Sequence, residues 1–496
     1  MRFSFIAVFI IIPILTCSIS SAEFTGEEYY TSGLETFNNK YFEKSIDLFN
    51  QSVNAYDMEG KSVDARKALH MRNRATWMLV EMSLNTTQAR EVLAAGLPNL
   101  SEEERERYLG PGESIQIVSD GQIRYFIGIA NNAAYHNKTL LQEISRSQNH
   151  SEAFDELYPV ITNEPQLDGS YGNPHRFQAN NTLNIPREYL PDFGTLQVWL
   201  PLPVELGSQK NISVIQLEPA EYVKSKPIIT GDHGQVYFEI PLDKINDKYV
   251  NVSAVYEFST FERRHMVDPE LIGPYDTTSE LYKTYTRSQQ NIEITPEIAD
   301  LAEEIVGDET NPYRMAEMIY WNILNTYPYS NVPHTYLAAS EIPESTYMYE
   351  TGYGDCGTQS MFFCALCRSL GIPARSAGGY QLIPGLAGPH FWAEFYIPEY
   401  GWIPVDITIA GSADSAFDKN EEDLKQYKTY FFGNMDPYRY TIQNDVDIPL
   451  LPDPGDEIIF SMVHQTPVVV CMESREDVEL IGMGYRTITF SENDES

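Results

Sequence analysis

Three cysteines lie within twelve positions of a chain of 496 residues that contains only five cysteines. They are Cys356, Cys364 and Cys367, in the stretch GYGDCGTQSMFFCALCRSLGIPAR at 352–375. Such a cluster has three chemical interpretations: ligands of a metal or partners in a disulfide, packing residues of a helix, or one nucleophile with two bystanders. The residues around each cysteine separate these interpretations.

Cys356 lies where a helix is predicted to begin. Helically spaced apolar residues follow it, and Gly371 with Pro373 just beyond predicts the helix end. A thiol in a first helical turn lies beside unpaired backbone N–H groups and the positive end of the helix dipole, so we expect a lowered pKa and a reactive thiolate at Cys356. Cys364 and Cys367 lie about two to three turns further on and are expected to pack as small apolar side chains.

Metal and redox chemistry are disfavoured at Cys364 and Cys367. A structural zinc site needs a second pair of ligands. The other Cys and His residues beyond position 367 are scattered: Cys471, His390 and His464. A redox CxxC pair belongs at a helix start, whereas this pair lies in mid-helix. We therefore predict no metal and no cofactor, and the acidic stretch 418–425 is interpreted as a solvated loop because it lacks the spacing of a calcium-binding loop.

A nucleophilic cysteine needs a base, and the base needs a group that orients it. His390 opens the segment HFWAEFYIPEYGWIPVDIT, whose alternating apolar residues predict two strands joined as a hairpin near 398–401. Asp406 lies sixteen residues after His390, in the apolar setting of the second strand. Paired strands would bring His390 and Asp406 side by side, with the imidazole directed at Cys356.

The segments that carry these three residues resemble the transglutaminase-like superfamily. The matching stretches, within about 290–440, are GDC at 354–356, CRSLGIPAR at 367–375, HFWAE at 390–394 and GWIPVD at 401–406. The resemblance implies a papain-like α+β fold. It also implies that Cys356 is the nucleophile, that His390 is general base and then acid, and that Asp406 fixes the imidazole tautomer and stabilises its charged form.

The group that stabilises the oxyanion is a departure from the family pattern. The animal cross-linking enzymes of the family have a Trp upstream of the Cys for this purpose. In this chain the upstream candidates are tyrosines: Tyr336, Tyr347, Tyr349 and Tyr353. The side-chain donor therefore stays unassigned, and the backbone N–H of Cys356 is one expected donor because a helix start offers unpaired N–H groups.

The first part of the chain is predicted to be helical. Residues 23–165 are rich in helix formers, and YYTSGLETFNNKYFEKSIDLFNQSVNAY at 29–56 resembles one tetratricopeptide (TPR) helix pair. One repeat cannot bury its own apolar face, so helices near 61–84 and 139–158 are expected to stack on it. This TPR-like region is interpreted either as a surface for a protein partner or as a structural cap.

Two further regions follow the helical one. Short β-rich runs between 170 and 262 predict an antiparallel β-sandwich, in which His233 is interpreted as a solvated loop residue. Residues 285–490 are assigned to the transglutaminase-like catalytic domain. The preceding β domain resembles the one that often precedes microbial family members. The predicted fold is thus multidomain: α-helical, then β-sandwich, then α+β.

The N-terminal sequence predicts export. Residues 1–22 combine an Arg, a short apolar run and small residues before Ala22, as in a cleavable signal peptide; an uncleaved membrane anchor is the alternative. Eight Asn-x-Ser/Thr acceptor sites for N-glycosylation support a secreted or cell-surface glycoprotein. They are Asn50, Asn85, Asn99, Asn137, Asn149, Asn180, Asn211 and Asn251.

A formal net charge of −37 disfavours nucleic acid and anionic membrane surfaces as partners. The function expected from all these features is a secreted transglutaminase-like cysteine enzyme that acts on amide bonds of peptides or proteins through a thioester. Hydrolysis is preferred over transfer to amines, by analogy with microbial relatives. The alternative is a non-catalytic binding or cell-envelope assembly module that uses the same fold as a scaffold.

Overall fold

The protein has helices at its N-terminus, several antiparallel sheets and a C-terminal region that mixes helices and strands. The computed structural model describes residues 24–137, 139–142, 150–416, 420–460, 462 and 464–493. The predicted export signal at 1–22 and the acceptor site at Asn149 lie outside the described residues. In the part of the chain that is described, no helix is both long and apolar enough to cross a membrane.

The N-terminal region consists of helices and one small hairpin. Its elements are α1 Gly26–Asn38, α2 Phe42–Met58, α3 Ser62–Val80, α4 Thr86–Gly96, α5 Glu102–Tyr108, β1 Gln116–Ser119, β2 Gln122–Tyr125 and α6 Ile129–Tyr135. Gly33 allows α1 and α2 to approach closely, because a Cβ atom there would lie 2.6 Å from the ring of Phe49. Helix α3 packs on α2 through Ala65, Ala68 and Leu69, as expected for the segment near 61–84.

Strands of the middle region form two antiparallel sheets. The strands are β3 Leu167–Asp168, β4 Tyr171–Pro186, β5 Thr195–Leu202, β6 Gln209–Glu218, β7 Gly234–Pro241 and β8 Tyr249–Arg264. Strands β3, β4, β6 and β8 belong to one sheet, and β5 and β7 belong to the other. Their apolar side chains share one core, because alternate residues of β4 and β8 face the residues of β5 and β7.

His233 is buried, so its interpretation as a solvated loop residue is wrong. The turn that carries it pairs with Gln443, and its side chain is only 5% exposed. Its Nε2 lies 2.8 Å from Oε1 of Gln235, and its ring lies 5.3 Å from the ring of His464.

The C-terminal region builds a four-stranded antiparallel sheet next to a buried helix. Its helices are α8 Glu280–Tyr285, α9 Pro296–Val306, α10 Pro312–Thr326, α11 His334–Ser340, α12 Glu344–Thr351, α13 Cys356–Ser369, α14 Ile407–Ala416, α15 Glu421–Tyr430 and α16 Val478–Met483. The sheet order is β11-β10-β9-β13, with β9 Ala374–Gln381, β10 Gly388–Ile397, β11 Gly401–Val405 and β13 Arg439–Gln443. Helix α13 contacts both β9 and β10.

Local sequence signals explain two helix starts in this region. Thr295 caps α9, with Pro296 in the first turn, as predicted. Asn420 caps α15 by accepting hydrogen bonds from the N–H groups of Glu422 and Asp423. The described part of 418–425 is therefore helical, and its interpretation as a loop is wrong. Acidic residues in a first helical turn interact favourably with the helix dipole. The acidic residues that follow Asn420 therefore indicate a helix start, which the comparison with calcium-binding loops did not consider.

The helix expected near 139–158 does not stack on the TPR-like pair. Helix α7, His150–Thr162, instead contacts α14 and α15. Its apolar residues Phe154, Leu157 and Ile161 belong to the large core of the C-terminal region. Residues at this spacing lie on one face of a helix. The helix therefore packs with that apolar face against the core of the C-terminal region.

The last strands of the chain return to the middle region. Strand β12, Asn434–Met435, pairs with β8; β14, Val468–Val470, pairs with β5; and β15, Arg486–Glu492, pairs with β4. The segment assigned to the catalytic domain, 285–490, therefore supplies strands to both sheets of the 170–262 region.

Candidate active site

Cys356 is the first residue of α13, and Asp355 is its N-cap. Oδ1 of Asp355 accepts a hydrogen bond from the N–H of Thr358 at 3.1 Å. Gly354 is required just before the cap, because a Cβ atom there would lie 2.0 Å from Oγ1 of Thr358 and 2.7 Å from the sulfur of Met348. The helix therefore begins at the cysteine, as the sequence predicts.

Cys356 as a whole residue is partly exposed. The pKa of its thiol is nevertheless raised and not lowered. Burial of the sulfur is the largest cause, and the negative charge of Asp355 adds to it. Backbone N–H groups of Phe391 and Gly357 bond to the sulfur and oppose this effect without overcoming it. The expected lowering of the thiol pKa at the helix start is therefore wrong, because desolvation and the charge of Asp355 outweigh the two backbone hydrogen bonds.

His390 and Asp406 are in direct contact. Nε2 of His390 lies 2.7 Å from Oδ2 of Asp406, and both side chains are buried. The hydrogen bond between Cys356 and the backbone N–H of Phe391 joins the sulfur to the residue that follows His390. The structure thus brings Cys356, His390 and Asp406 together at one place.

The predicted hairpin is present, although Asp406 lies just beyond its second strand. Strands β10 and β11 pair from Ile397 with Gly401 to Ala393 with Val405. Asp406 then leaves the sheet and begins α14, where its Oδ1 accepts a hydrogen bond from the N–H of Ile409 at 3.0 Å. At the start of a helix, an unpaired backbone N–H group is available to hold the carboxylate of Asp406, whereas a position inside the strand would offer no such donor.

Arg439 is a residue of this site that the sequence reasoning missed. Its NH1 lies 2.6 Å from Oδ2 of Asp406, and the same guanidinium binds Asp436. Although burial acts in the opposite direction, the charges of His390 and Arg439 hold the pKa of Asp406 well below its usual value. The available signal was Asp436-x-x-Arg439, a charged pair in an otherwise apolar stretch.

A second histidine, which is partly buried, supports the helix cap. Nε2 of His334 lies 2.7 Å from Oδ2 of Asp355, and its Nδ1 lies 2.9 Å from Oε1 of Glu344. Burial alone would lower the pKa of His334, but the carboxylates of Glu344 and Asp355 raise it well above 6.5. A charged imidazole therefore holds Asp355, and through it the start of the helix that carries Cys356. No local sequence pattern links His334 to Glu344 and Asp355, which lie 10 and 21 residues further along the chain.

The remaining cysteines are buried and form no disulfide among the described residues. Cys364 and Cys367 are fully buried in the core around α13, and Cys471 is buried in the core of the middle region. Within the described chain, no group of three His, Cys, Asp or Glu side chains is placed to hold a metal ion.

The upstream tyrosines do not all lie at the cysteine. Tyr347 and Tyr353 contact each other edge to face, and Tyr353 also contacts His136. Tyr336 contacts two apolar clusters around α11 and α12. The tyrosines that lie close to Cys356 are Tyr329 and Tyr135, which the sequence reasoning did not consider.

Comparison with known proteins adds one decisive observation. Residues 299–407 match the family model described as the transglutaminase-like superfamily core, and this range contains the Cys, His and Asp of the site. Residues 299–407 of this chain match a transglutaminase-like core domain. The match associates it, at the level of the family, with enzymes.

Three similar proteins illustrate how far the similarity extends. This chain is 25% identical over 292 residues to an uncharacterised protein of Haemophilus influenzae, covering 53% of this chain and 77% of the relative. A solved structure titled as a candidate cysteine protease, from Cytophaga hutchinsonii, has a TM-score of 0.39 at 15% identity, covering 66% of this chain and 93% of that one. The periplasmic domain of TgpA from Pseudomonas aeruginosa has a TM-score of 0.24 at 16% identity, covering 54% and 95%. At these scores the two structures add nothing to the family match.

Proposed function

We propose that this protein is a cysteine enzyme that cleaves amide bonds of peptides or proteins through a thioester on Cys356. The observation that carries the proposal is the contact set around one sulfur atom. Cys356 bonds to the backbone N–H of Phe391, and the adjacent His390 is held by Asp406 at 2.7 Å. A nucleophile, a base and a group that orients the base are the parts that acyl transfer requires.

The hydrogen bond to Asp406 decides which nitrogen of His390 acts as base. Since Asp406 is ionised and accepts from Nε2–H, the neutral imidazole carries its lone pair on Nδ1. Nδ1 takes the proton of the Cys356 thiol as the sulfur attacks the carbonyl carbon. The C–N bond then breaks, and the same proton passes to the leaving nitrogen.

Water completes the cycle. His390 takes a proton from a water molecule as the oxygen attacks the thioester, the C–S bond breaks, and the proton returns to the sulfur. The products are a carboxylic acid and an amine or ammonia. Because the pKa of Cys356 is raised, the thiol is protonated at rest, and its deprotonation must accompany the approach of the carbonyl.

Hydrolysis is proposed over transfer to a second amine on the basis of the resemblance to microbial members of the family. The oxyanion donor includes the backbone N–H of Cys356, which lies at the start of α13. The domain assignments also belong to the proposal: a TPR-like region at 23–165, a β-sandwich at 170–262 and a catalytic domain at 285–490.

We further propose that the protein is secreted or displayed at the cell surface. The proposal rests on the export signal predicted at 1–22 and on the exposure of most described acceptor asparagines. The exposed ones are Asn85, Asn99, Asn180, Asn211 and Asn251. A peptide or protein substrate would be met outside the cell.

The function can be tested by incubating the full chain with a mixture of glutamine- and lysine-containing peptides, with and without an added primary amine. Mass spectrometry distinguishes cleaved or deamidated peptides from amine adducts. The proposal predicts cleavage or deamidation that is lost in Cys356→Ala, while Cys471→Ala, a matched buried cysteine variant, retains it. Adducts in place of acids would overturn the preference for hydrolysis. Products that persist in Cys356→Ala would overturn the assignment of Cys356 as the nucleophile. A wild-type chain that forms no product would overturn the enzyme assignment and favour the non-catalytic module.

A further inference from the structure

The N-terminal helical region extends across the candidate active site. The covering segment, defined as residues 129–137 and 139–142, contains α6 and the residues after it. Nδ2 of Asn132 donates to the backbone oxygen of Asn331 at 3.1 Å, and the N–H of Asn331 donates to Oδ1 of Asn132 at 2.8 Å. A buried side-chain amide that exchanges two hydrogen bonds with the backbone of one residue fixes both distance and orientation.

The covering segment is also attached on the opposite side of the site. Nε2 of Gln142 donates to the backbone oxygen of Asp414, in the helix that begins after Asp406, at 3.3 Å. Asn331, in contrast, lies in the stretch that leads to Cys356. The segment therefore spans from the nucleophile side of the site to the side of the orienting carboxylate.

Tyr135 lies at the end of α6, next to the nucleophile. Its ring contacts that of Tyr329 edge to face, with centroids 4.8 Å apart. Tyr329 forms a parallel bridge with Gly354, two residues before Cys356. The ring of His136 makes a tilted contact with that of Tyr353, at 5.3 Å between ring centroids. Two successive residues of the covering segment thus rest on the approach to Cys356.

Both phenol groups near the sulfur remain protonated donors. Burial raises the pKa of Tyr135 and Tyr329, and the negative charge of Asp355 raises it further. Among the residues that the structure describes, neither hydroxyl makes a hydrogen bond, so each is free to bond to a ligand. A neutral donor beside a sulfur nucleophile is positioned to meet an oxygen that becomes negative.

We propose that the covering segment completes the active site and that the Tyr135 hydroxyl, beside that of Tyr329, donates a hydrogen bond to the acyl oxygen as it becomes an oxyanion. This inference rests on the proposed function, in which Cys356 attacks a carbonyl. One side-chain donor of the site is then supplied by the N-terminal region, more than 200 residues before the nucleophile.

Two reactions of the same sulfur separate an oxyanion donor from a structural residue. Acylation by p-nitrophenyl acetate passes through an oxyanion, whereas alkylation by iodoacetamide does not change the charge on its carbonyl oxygen. Tyr135→Phe is expected to slow acylation on the order of 100-fold, the usual effect of removing one such donor, and to leave alkylation of Cys356 unchanged. Tyr125→Phe, which removes a hydroxyl bonded to the backbone oxygen of Leu109 in the same region, is the matched control and is expected to change neither rate.

The outcomes distinguish this inference from the proposed function. Wild-type acylation with an unchanged rate in Tyr135→Phe would overturn the role of Tyr135 and leave the proposed function standing. Equal slowing of acylation and alkylation would also overturn it, because that result reports a structural defect. A wild-type protein that forms no acyl adduct on Cys356 would overturn the proposed function itself.

Discussion

At the residue scale, the buried carboxylate of Asp406 determines the arrangement of the site. Its two oxygens accept from Nε2 of His390, from the guanidinium of Arg439 and from the N–H of Ile409. A buried carboxylate stays ionised only when such partners compensate for lost hydration. Arg439 therefore maintains the charge that fixes the His390 tautomer, even though it is distant from the sulfur in sequence.

Replacing Arg439 should destabilise the fold as well as the site. Arg439→Met removes the partner of two fully buried carboxylates, Asp406 and Asp436, so we expect a loss of about 3–5 kcal/mol in the free energy of unfolding. Urea denaturation followed by circular dichroism measures the change. Arg475→Met, which breaks an exposed pair with Asp57, is the control and should cost under about 1 kcal/mol. Equal losses in the two variants would show that Arg439 carries no special role.

At the element scale, an ion-pair cluster joins the middle region to the four-stranded sheet that carries His390. Glu394 in β10 pairs with Arg375 in β9 and with Arg263 in β8. Arg263 also donates to the backbone oxygen of Trp402 at 2.7 Å, in β11. All three charged side chains are buried, so the orientation of the two sheets depends on their mutual compensation.

This cluster predicts how stability depends on pH. Although burial acts in the opposite direction, the two arginines lower the pKa of Glu394 from 4.5 to about 2. A carboxyl with a lowered folded-state pKa contributes stability that is present above its unfolded pKa and is lost as the pH falls through the folded value. The difference in unfolding free energy between wild type and Glu394→Gln should therefore be largest above about pH 4.5 and should narrow towards pH 2. Urea midpoints measured between pH 3 and 7 report it.

The control for that series is Glu257→Gln, which alters a partly exposed pair with Arg176. Its difference from wild type should be small at every pH. A gap for Glu394→Gln that widens as the pH falls would contradict the account of the ion-pair cluster.

At the scale of the whole molecule, contacts between residues far apart in sequence join the three regions. The covering segment bonds to Asn331 of the C-terminal region, and β15 pairs with β4 of the middle region along Phe177 to Leu183. The C-terminal region is thus connected to the other two by more than the chain that enters it.

Removal of the last strand should reveal this dependence. Truncation after Gly484 deletes β15 and leaves β4 as an unpaired edge, so we expect a lower melting temperature and greater aggregation. Removing the residues after Glu492 retains the strand and serves as the control. Differential scanning calorimetry and light scattering check both variants. A truncated protein that melts and scatters like the control would show that β15 contributes little.

Local signals allowed part of this molecule to be predicted. The helix start at Cys356 has its cap and its glycines nearby in sequence, and the hairpin from His390 to Val405 follows from alternating apolar residues. Tyr135, His334 and Arg439 reach the site through tertiary packing, and no local pattern encodes that packing. The raised pKa of Cys356 was missed for the same reason, because desolvation depends on atoms from several elements.

The most direct test of the central claim is to trap the acyl-enzyme. The protein is mixed with p-nitrophenyl acetate, quenched with acid, digested and analysed by peptide mass spectrometry. The account predicts a single acetyl group on the peptide that carries Cys356, formed more slowly in His390→Ala by roughly 100-fold or more because the general base is lost. An acetyl group that forms at the same rate in His390→Ala, or on other residues only, would contradict the assignment of Cys356 and His390.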